Sequence, residues 1–322
     1  MKNLSRALLG VSASVLLAGS VAAAPKGADA PLKILVVPYT YAFPHFVYMQ
    51  TQIDDEAKKL GNVTISKADG QLSAPKQIGD IEAALAQGID GLILAPADPD
   101  ALAPTVREAI KAGVTVVTID RPVNNVPEVL ANVAADNVLG AQAQGDAVEA
   151  AFPKGATIVN LQGIPGDKTA NDRNKGVHDV LDKKPELYKF VAQQTARFSR
   201  DQGLSVSENL LTGLPDAPQV IVAANDDSAL GAAQAVKARK LGDKVAVFGY
   251  DGSTDALLAV KKGELAATVD QFPGKQGRTA VRTLVDFIRT GKKPAENNIL
   301  VKPVAITKAN LDTAERIGLV GE

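Results

Sequence analysis

The sequence predicts an α/β protein built as two doubly wound parallel-sheet lobes, and three observations carry that prediction. Short β-branched runs alternate with longer amphipathic segments from Lys33 onward. The apolar runs are continuous rather than period-two, as in strands buried on both faces by flanking helices. The alternation resumes from Thr157, and 322 residues leave room for two such units.

In the first half, Ile34–Val37 reads as a buried strand. Phe46, Met49, Ile53, Ala57 and Leu60 then recur at helical spacing, and Gly61 ends that helix. Val63–Ser66 is the next strand, followed by a helix with Ile78, Ile81 and Leu85 on one face and Gly88 as its stop. Gly91–Ala95, a helix over Ala101–Ala112 and Val114–Ile119 complete the series. In the second half the strands are Thr157–Leu161, Val191–Thr195, Val220–Ala223, Val245–Gly249 and Ala266–Val269. Helices fall around 171–183, 200–212, 227–241 and 254–262. A last helix over 275–290 turns Val281, Leu284, Val285 and Ile288 to one side before Gly291.

Composition removes whole classes of chemistry. The chain has no cysteine, hence no disulfide, no thiolate nucleophile and no Cys-ligated metal. Its two histidines, His45 and His178, form no metal-ligand pair, and no cofactor is expected. With 35 basic and 36 acidic side chains there is no basic excess to neutralise phosphates, so no nucleic-acid partner is expected. Lys2 and Arg6, the small apolar run Ala7 to Ala18 and Val21-Ala22-Ala23 predict a cleaved signal peptide over residues 1–23. That run is shorter than the ~20 residues a spanning helix requires.

Ligands of open parallel sheets bind beyond the carboxyl ends of the strands. Asp120-Arg121 follows Ile119, Asn225-Asp226 follows the strand ending at Ala223, Tyr250-Asp251-Gly252 follows Gly249, and Asp270-Gln271 follows Val269. Four strands thus deliver carboxylate, amide and guanidinium groups to one edge, where they can exchange paired hydrogen bonds with neutral hydroxyls. Each has a plainer reading: Asn225 as a helix cap, Asp251-Gly252 as a turn, Asp120-Arg121 as an exposed ion pair. Their coincidence at equivalent strand ends favours a site.

Aromatics converge on the same edge. Five of the 13 Phe and Tyr residues, Tyr39, Tyr41, Phe43, Phe46 and Tyr48, fall within ten positions after the first strand, with His45 among them. Aromatic faces pack against the C–H faces of a sugar ring, although Phe46 and Tyr48 also suit simple helix packing. G-x-S-x-G, Walker and dinucleotide-binding glycine motifs are absent, which makes an enzyme the weaker reading.

Val117-Thr118-Ile119-Asp120-Arg121, Leu161-Gln162-Gly163-Ile164, Ala224 to Ala232, Gly249-Tyr250-Asp251-Gly252 and Leu265-Ala266-Ala267-Thr268 stand in an order and spacing that resemble the periplasmic sugar-binding proteins of ribose type. These are the receptors of ABC importers. The resemblance runs nearly end to end after the leader. It implies two lobes joined by three crossover hinges, with 32–134 plus 272–300 in the first and 135–271 plus 301–322 in the second. It also implies a monomer in the periplasm that closes on one sugar or polyol and docks on a membrane permease driven by an ATPase; a chemoreceptor is a further possible partner. It assigns Asp120 and Arg121 to ligand hydroxyls from the first lobe and Asn225 and Asp251 from the second, with Gln271 at a hinge. Phe46, Phe198 and Tyr250 match aromatic positions that enclose the sugar.

Three positions depart from the ribose pattern. Phe43 stands where those receptors carry a ligand-contacting Asn, His45 replaces one of the sandwiching Phe residues, and Asn171 stands where a ligand-binding Arg is found. Ala68-Asp69-Gly70-Gln71 looks like the corresponding stretch of galactofuranose receptors. The implied ligand is therefore a pentose, a hexofuranose or a polyol. The rivals are a sensory receptor with the same binding event and an exported carbohydrate-active enzyme using Asp120 and Asp251 as a carboxylate pair.

Overall fold

The structure, a computed structural model, describes residues 25–321. The leader expected over residues 1–23 lies outside the described residues.

The chain opens with β1 (Leu32–Val37), α1 (Pro44–Leu60), β2 (Val63–Lys67), α2 (Ala74–Ala86), β3 (Gly91–Leu94), α3 (Ala103–Lys111), β4 (Thr115–Ile119) and β5 (Ala131–Ala135). It crosses to a second sheet through α4 (Asn137–Ala151), β6 (Ala156–Gln162), α5 (Lys168–Leu181), β7 (Tyr188–Thr195), α6 (Arg200–Gly213), β8 (Val220–Ala223), α7 (Asp226–Ala238), β9 (Ala246–Phe248), α8 (Thr254–Lys262) and β10 (Ala267–Asp270). It returns to the first sheet in α9 (Pro273–Thr290) and β11 (Asn298–Val301), then crosses a third time into β12 (Val304–Thr307) and two 3-10 turns, Lys308–Thr313 and Ile317–Leu319. The first sheet has the order β11-β5-β4-β3-β1-β2 and the second β12-β10-β9-β8-β6-β7. Pairings are parallel except β10 with β12.

The period of two in a strand explains how each sheet feeds two cores. In β1, Ile34 and Val36 pack with Met49 and Ile53 of α1 and Val281 and Leu284 of α9. Leu35 and Val37 point the other way, to Ile81 of α2 and Val106 of α3. In the second lobe, Ile158 faces Ala141 and Val148 of α4 and Val177 of α5. Val159 and Leu161 face Ala232 of α7 and Val260 of α8.

The expected strands and helices are present with shifted ends. β7 begins at Tyr188 rather than Val191, and α2 at Ala74, where Ser73 caps it through the Lys76 N–H. Four elements carried no sequence signal strong enough to predict: β5, α4, β11 and β12. The consequence for the site is simple. Parallel strands on both sides of the crossovers aim their carboxyl ends toward one cleft.

Candidate functional site

A cavity of about 570 Å³ is lined by residues from both sheets. Its first wall comes from the loop after β1 and the start of α1. Phe46 is buried, with its ring centroid 4.7 Å from that of Tyr39 in an edge-to-face arrangement. Phe43 meets the same Tyr39 at 5.9 Å, and His45 meets Phe46 at 5.0 Å. The Arg121 guanidinium lies 4.6 Å from the Tyr39 ring centre, a cation–π contact that fixes its direction. Burial, with Asp120 adding to it, raises the Tyr39 hydroxyl well above its ordinary value and keeps it protonated.

Asp120 and Arg121 follow β4, with Asp120 at a positive φ of 66°. Such a conformation is costly for a non-glycine residue and is often retained where a side chain must be aimed. Arg121 stands 3.5 Å from Asp120 and 3.4 Å from Asp167, which belongs to the other lobe and caps α5. One guanidinium thus bridges the cleft.

The second lobe supplies the opposite wall. Asp251 has a φ of 132°, and its Oδ1 accepts from Gln271 Nε2 at 2.8 Å and Arg173 Nη1 at 3.1 Å. Burial pushes the Asp251 carboxyl up to about 7 against the lowering effect of Arg173. Asn225 combines two roles: its Oδ1 accepts from the Ser228 N–H as the cap of α7, and its Nδ2 donates to the Phe198 carbonyl at 3.2 Å. The helix-cap reading of Asn225 therefore holds, and the same residue still lines the cavity. Asp226 beside it is satisfied internally by Thr268 and the Ser253 N–H.

Phe43, His45, Phe46, Asp120, Arg121, Phe198, Asn225, Asp251 and Gln271 all line this one cavity. Two expected site residues do not. Asn171 is exposed on α5 and lies outside the lining; the guanidinium looked for there is supplied by Arg173, two residues on. Two residues turn a helix by about 200°, so Asn171 and Arg173 face nearly opposite ways. Tyr250 is fully buried and stands behind the wall: its ring centre lies 3.7 Å from the Arg173 guanidinium, so Arg173 rather than Tyr250 meets the cavity.

Among the lining residues that were not predicted are Tyr39, Arg173 and Arg316. Tyr39 belonged to the aromatic cluster but was not assigned to the site. Arg173 is signalled by a charge on the buried stripe Ala170, Arg173, Val177, Val180. Arg316, in the C-terminal turns, donates to the Asp251 carbonyl and lies 5.7 Å from the Tyr48 ring centre. No local pattern marks it, because its position depends on the third crossover. Among the described residues, no group of His, Asp and Glu could hold a metal ion, and no helix is long and apolar enough to cross a membrane.

Two lobes with a polar, aromatic-walled cleft between their strand ends define a two-lobed small-molecule-binding protein. The periplasmic binding protein domain model matches residues 34–293. The chain is 39% identical over 250 residues to the ribose import binding protein of Bacillus subtilis, covering 78% of this chain and 79% of that one. It is 33% identical to the D-apiose import binding protein of Paraburkholderia graminis, covering 91% and 92%. Among solved structures, it superposes with a TM-score of 0.81 on the Caulobacter myo-inositol binding protein bound to myo-inositol, at 41% identity and over 89% of this chain and 97% of that one. The chain belongs to the periplasmic binding protein family and has the type I fold of two parallel-sheet lobes.

Proposed function

We propose that the protein is the solute-binding receptor of an ABC sugar importer and binds one neutral monosaccharide or polyol between its lobes. The observation that carries this reading is a charge-balanced cavity to which both lobes contribute: Asp120 and Arg121 from one side, Arg173, Asn225 and Asp251 from the other. Carboxylates, amides and guanidiniums in such a mixture pair with hydroxyls, which both donate and accept, whereas a charged solute would meet its own sign on some side. Tyr39, Phe46 and Phe198 offer apolar surface to the C–H faces of a ring. The relatives named as import binding proteins support the same class.

The mechanism is lobe closure rather than bond-making. A ligand that touches both walls stabilises the closed form over the open one by the contacts only the closed form makes. The partners are a membrane permease and its ATPase, reached by a monomer exported to the periplasm behind the leader of residues 1–23. Small-angle scattering of ligand-stripped protein with and without a bound sugar tests this. Compaction on binding, with the sugar recovered unchanged after long incubation, is the expected result. A tightly bound sugar with no change in shape, or a sugar converted to product, contradicts it.

A further inference from the structure

Among the described residues, two ion pairs join elements of the first lobe to elements of the second: Arg278 with Glu315, and Arg121 with Asp167. They differ in place. Glu315 sits at the crossovers, where its carboxylate also accepts from the Gly274 N–H and its own N–H donates to Asp270. Asp167 follows β6, which stands three strands from β10 in the second sheet and so about 14 Å from that crossover. Rotation of one lobe about the crossovers displaces atoms in proportion to their distance from them. Opening therefore separates Asp167 from Arg121 far more than it disturbs Glu315.

Both partners of the Asp167 pair are oriented by their own lobes. Asp167 Oδ1 accepts from the Ala170 N–H at 2.9 Å as the cap of α5, which leaves Oδ2 facing Arg121 Nη1 at 3.4 Å. Arg121 is directed by the Tyr39 ring and by Asp120, both of the first lobe. A surface ion pair usually gains little because two mobile side chains must be ordered to make it. Here each side chain is ordered before the lobes meet. The two are also only 23% and 15% exposed, so water and salt screen them in part.

We propose that Asp167 is a positioning residue for closure: its pair with Arg121, made only when the lobes meet, favours the closed form with or without ligand and holds Arg121 at the cavity. A ligand that touches both walls binds the closed form, so its apparent affinity follows the closed fraction that this pair sets. A neutral ligand brings no charge of its own. Any dependence of closure on ionic strength therefore comes from charges that the protein itself brings together. The inference rests on the two-lobed receptor reading and names the residue that tunes its closure.

Spin-label distances in the leader-free chain, stripped of ligand, test it. The sequence has no cysteine, so Glu82→Cys on α2 and Glu208→Cys on α6, both exposed, place one label on each lobe. The otherwise unaltered chain is expected to show a short and a long distance. Asp167→Asn keeps the cap of α5, since Asn caps helices as well as Asp does, and should lower the short-to-long ratio about fivefold. Raising ionic strength from about 0.01 M to about 1 M shortens the screening length from about 30 Å to about 3 Å. That change should lower the ratio in the chain with Asp167 and leave the Asp167→Asn ratio nearly constant. Distances that neither the substitution nor salt alters, or an equal salt response in both chains, overturn the role of Asp167 and leave a sugar receptor standing. Should the variant not fold, the salt series on the chain with Asp167 still decides. Binding of no neutral sugar or polyol removes the receptor reading, whereas the ligand-free distances report on the ion pair alone.

Discussion

Arg121 is the residue on which the two lobes' chemistry meets. It leans on Tyr39, faces Asp120 in its own lobe and reaches Asp167 across the cleft. Its role lies in the cavity rather than in either core, so Arg121→Ala should leave folding intact and weaken ligand binding by about 1.5–3 kcal/mol, the cost of a lost charge-assisted hydrogen bond. Calorimetry on a variant with a normal melting transition checks it; unchanged affinity would remove Arg121 from the site. His45 carries a different signature. Its folded value near 3 lies below the ordinary 6.5, so between these limits the unfolded chain binds the extra proton and stability rises with pH. Asp251, raised to about 7 by burial, acts oppositely between about pH 4 and 7. His45→Phe isolates the first effect: between pH 7 and 5, wild type should lose about 2 kcal/mol of stability that the variant keeps. Parallel losses measured by denaturant titration would contradict that. At this scale the sequence was legible where a strand end fixes a side chain, as at Asp120, Asn225, Asp251 and Gln271. On α5 it was not: Asn171 was expected at the site, whereas Arg173, two residues on and unremarked in the sequence, lines the cavity, because a two-residue difference on a helix changes its face.

At the scale of elements, α6 and α7 hold the second wall in place through backbone contact rather than side-chain bulk. A Cβ at Gly231 would meet the Arg200 carbonyl and the Leu204 amide, and one at Gly203 would meet the Ser228 backbone. Gly231→Ala should therefore push α7 outward and destabilise the fold by about 1–3 kcal/mol, as overpacking does. Since Asn225 caps α7, ligand affinity should fall in the same variant. A thermal melt and a titration on one sample check both expectations. The elements that sequence patterning missed share a physical cause. β5 reads Ala-Asn-Val-Ala-Ala, α4 is rich in Ala, Gln and Gly with little contrast between its faces, and β11 is a largely exposed edge strand. Their identity is decided by what they pack against, which no local period records. Strands buried on both faces, such as β3 and β8, were plain for the opposite reason.

At the scale of the molecule, the three passages of chain between the sheets make one cavity out of two lobes. The last of them brings Glu315 and Arg316 back to the hinge. Glu315 accepts from Arg278 at 2.8 Å and the Gly274 N–H at 2.7 Å, both on α9, while its own N–H donates to Asp270 at 2.7 Å. The C-terminal turns thus tie α9 of the first lobe to the site edge of the second. Arg316→Ala should loosen that tie and weaken ligand binding at least tenfold, because the guanidinium supports Asp251 and lines the cavity; titration calorimetry reads the change. Whether the protein is a receptor for one neutral sugar or polyol can be read from a thermal-shift panel. Refolded, ligand-stripped protein is melted with pentoses, hexoses and polyols in turn. A ligand at 100 times its dissociation constant should stabilise the fold by about 2.7 kcal/mol, which for a chain of this size moves the midpoint by several degrees. Such a shift is expected for one compound or a small related set. No shift with any neutral sugar or polyol, or a shift only with charged solutes, would contradict it.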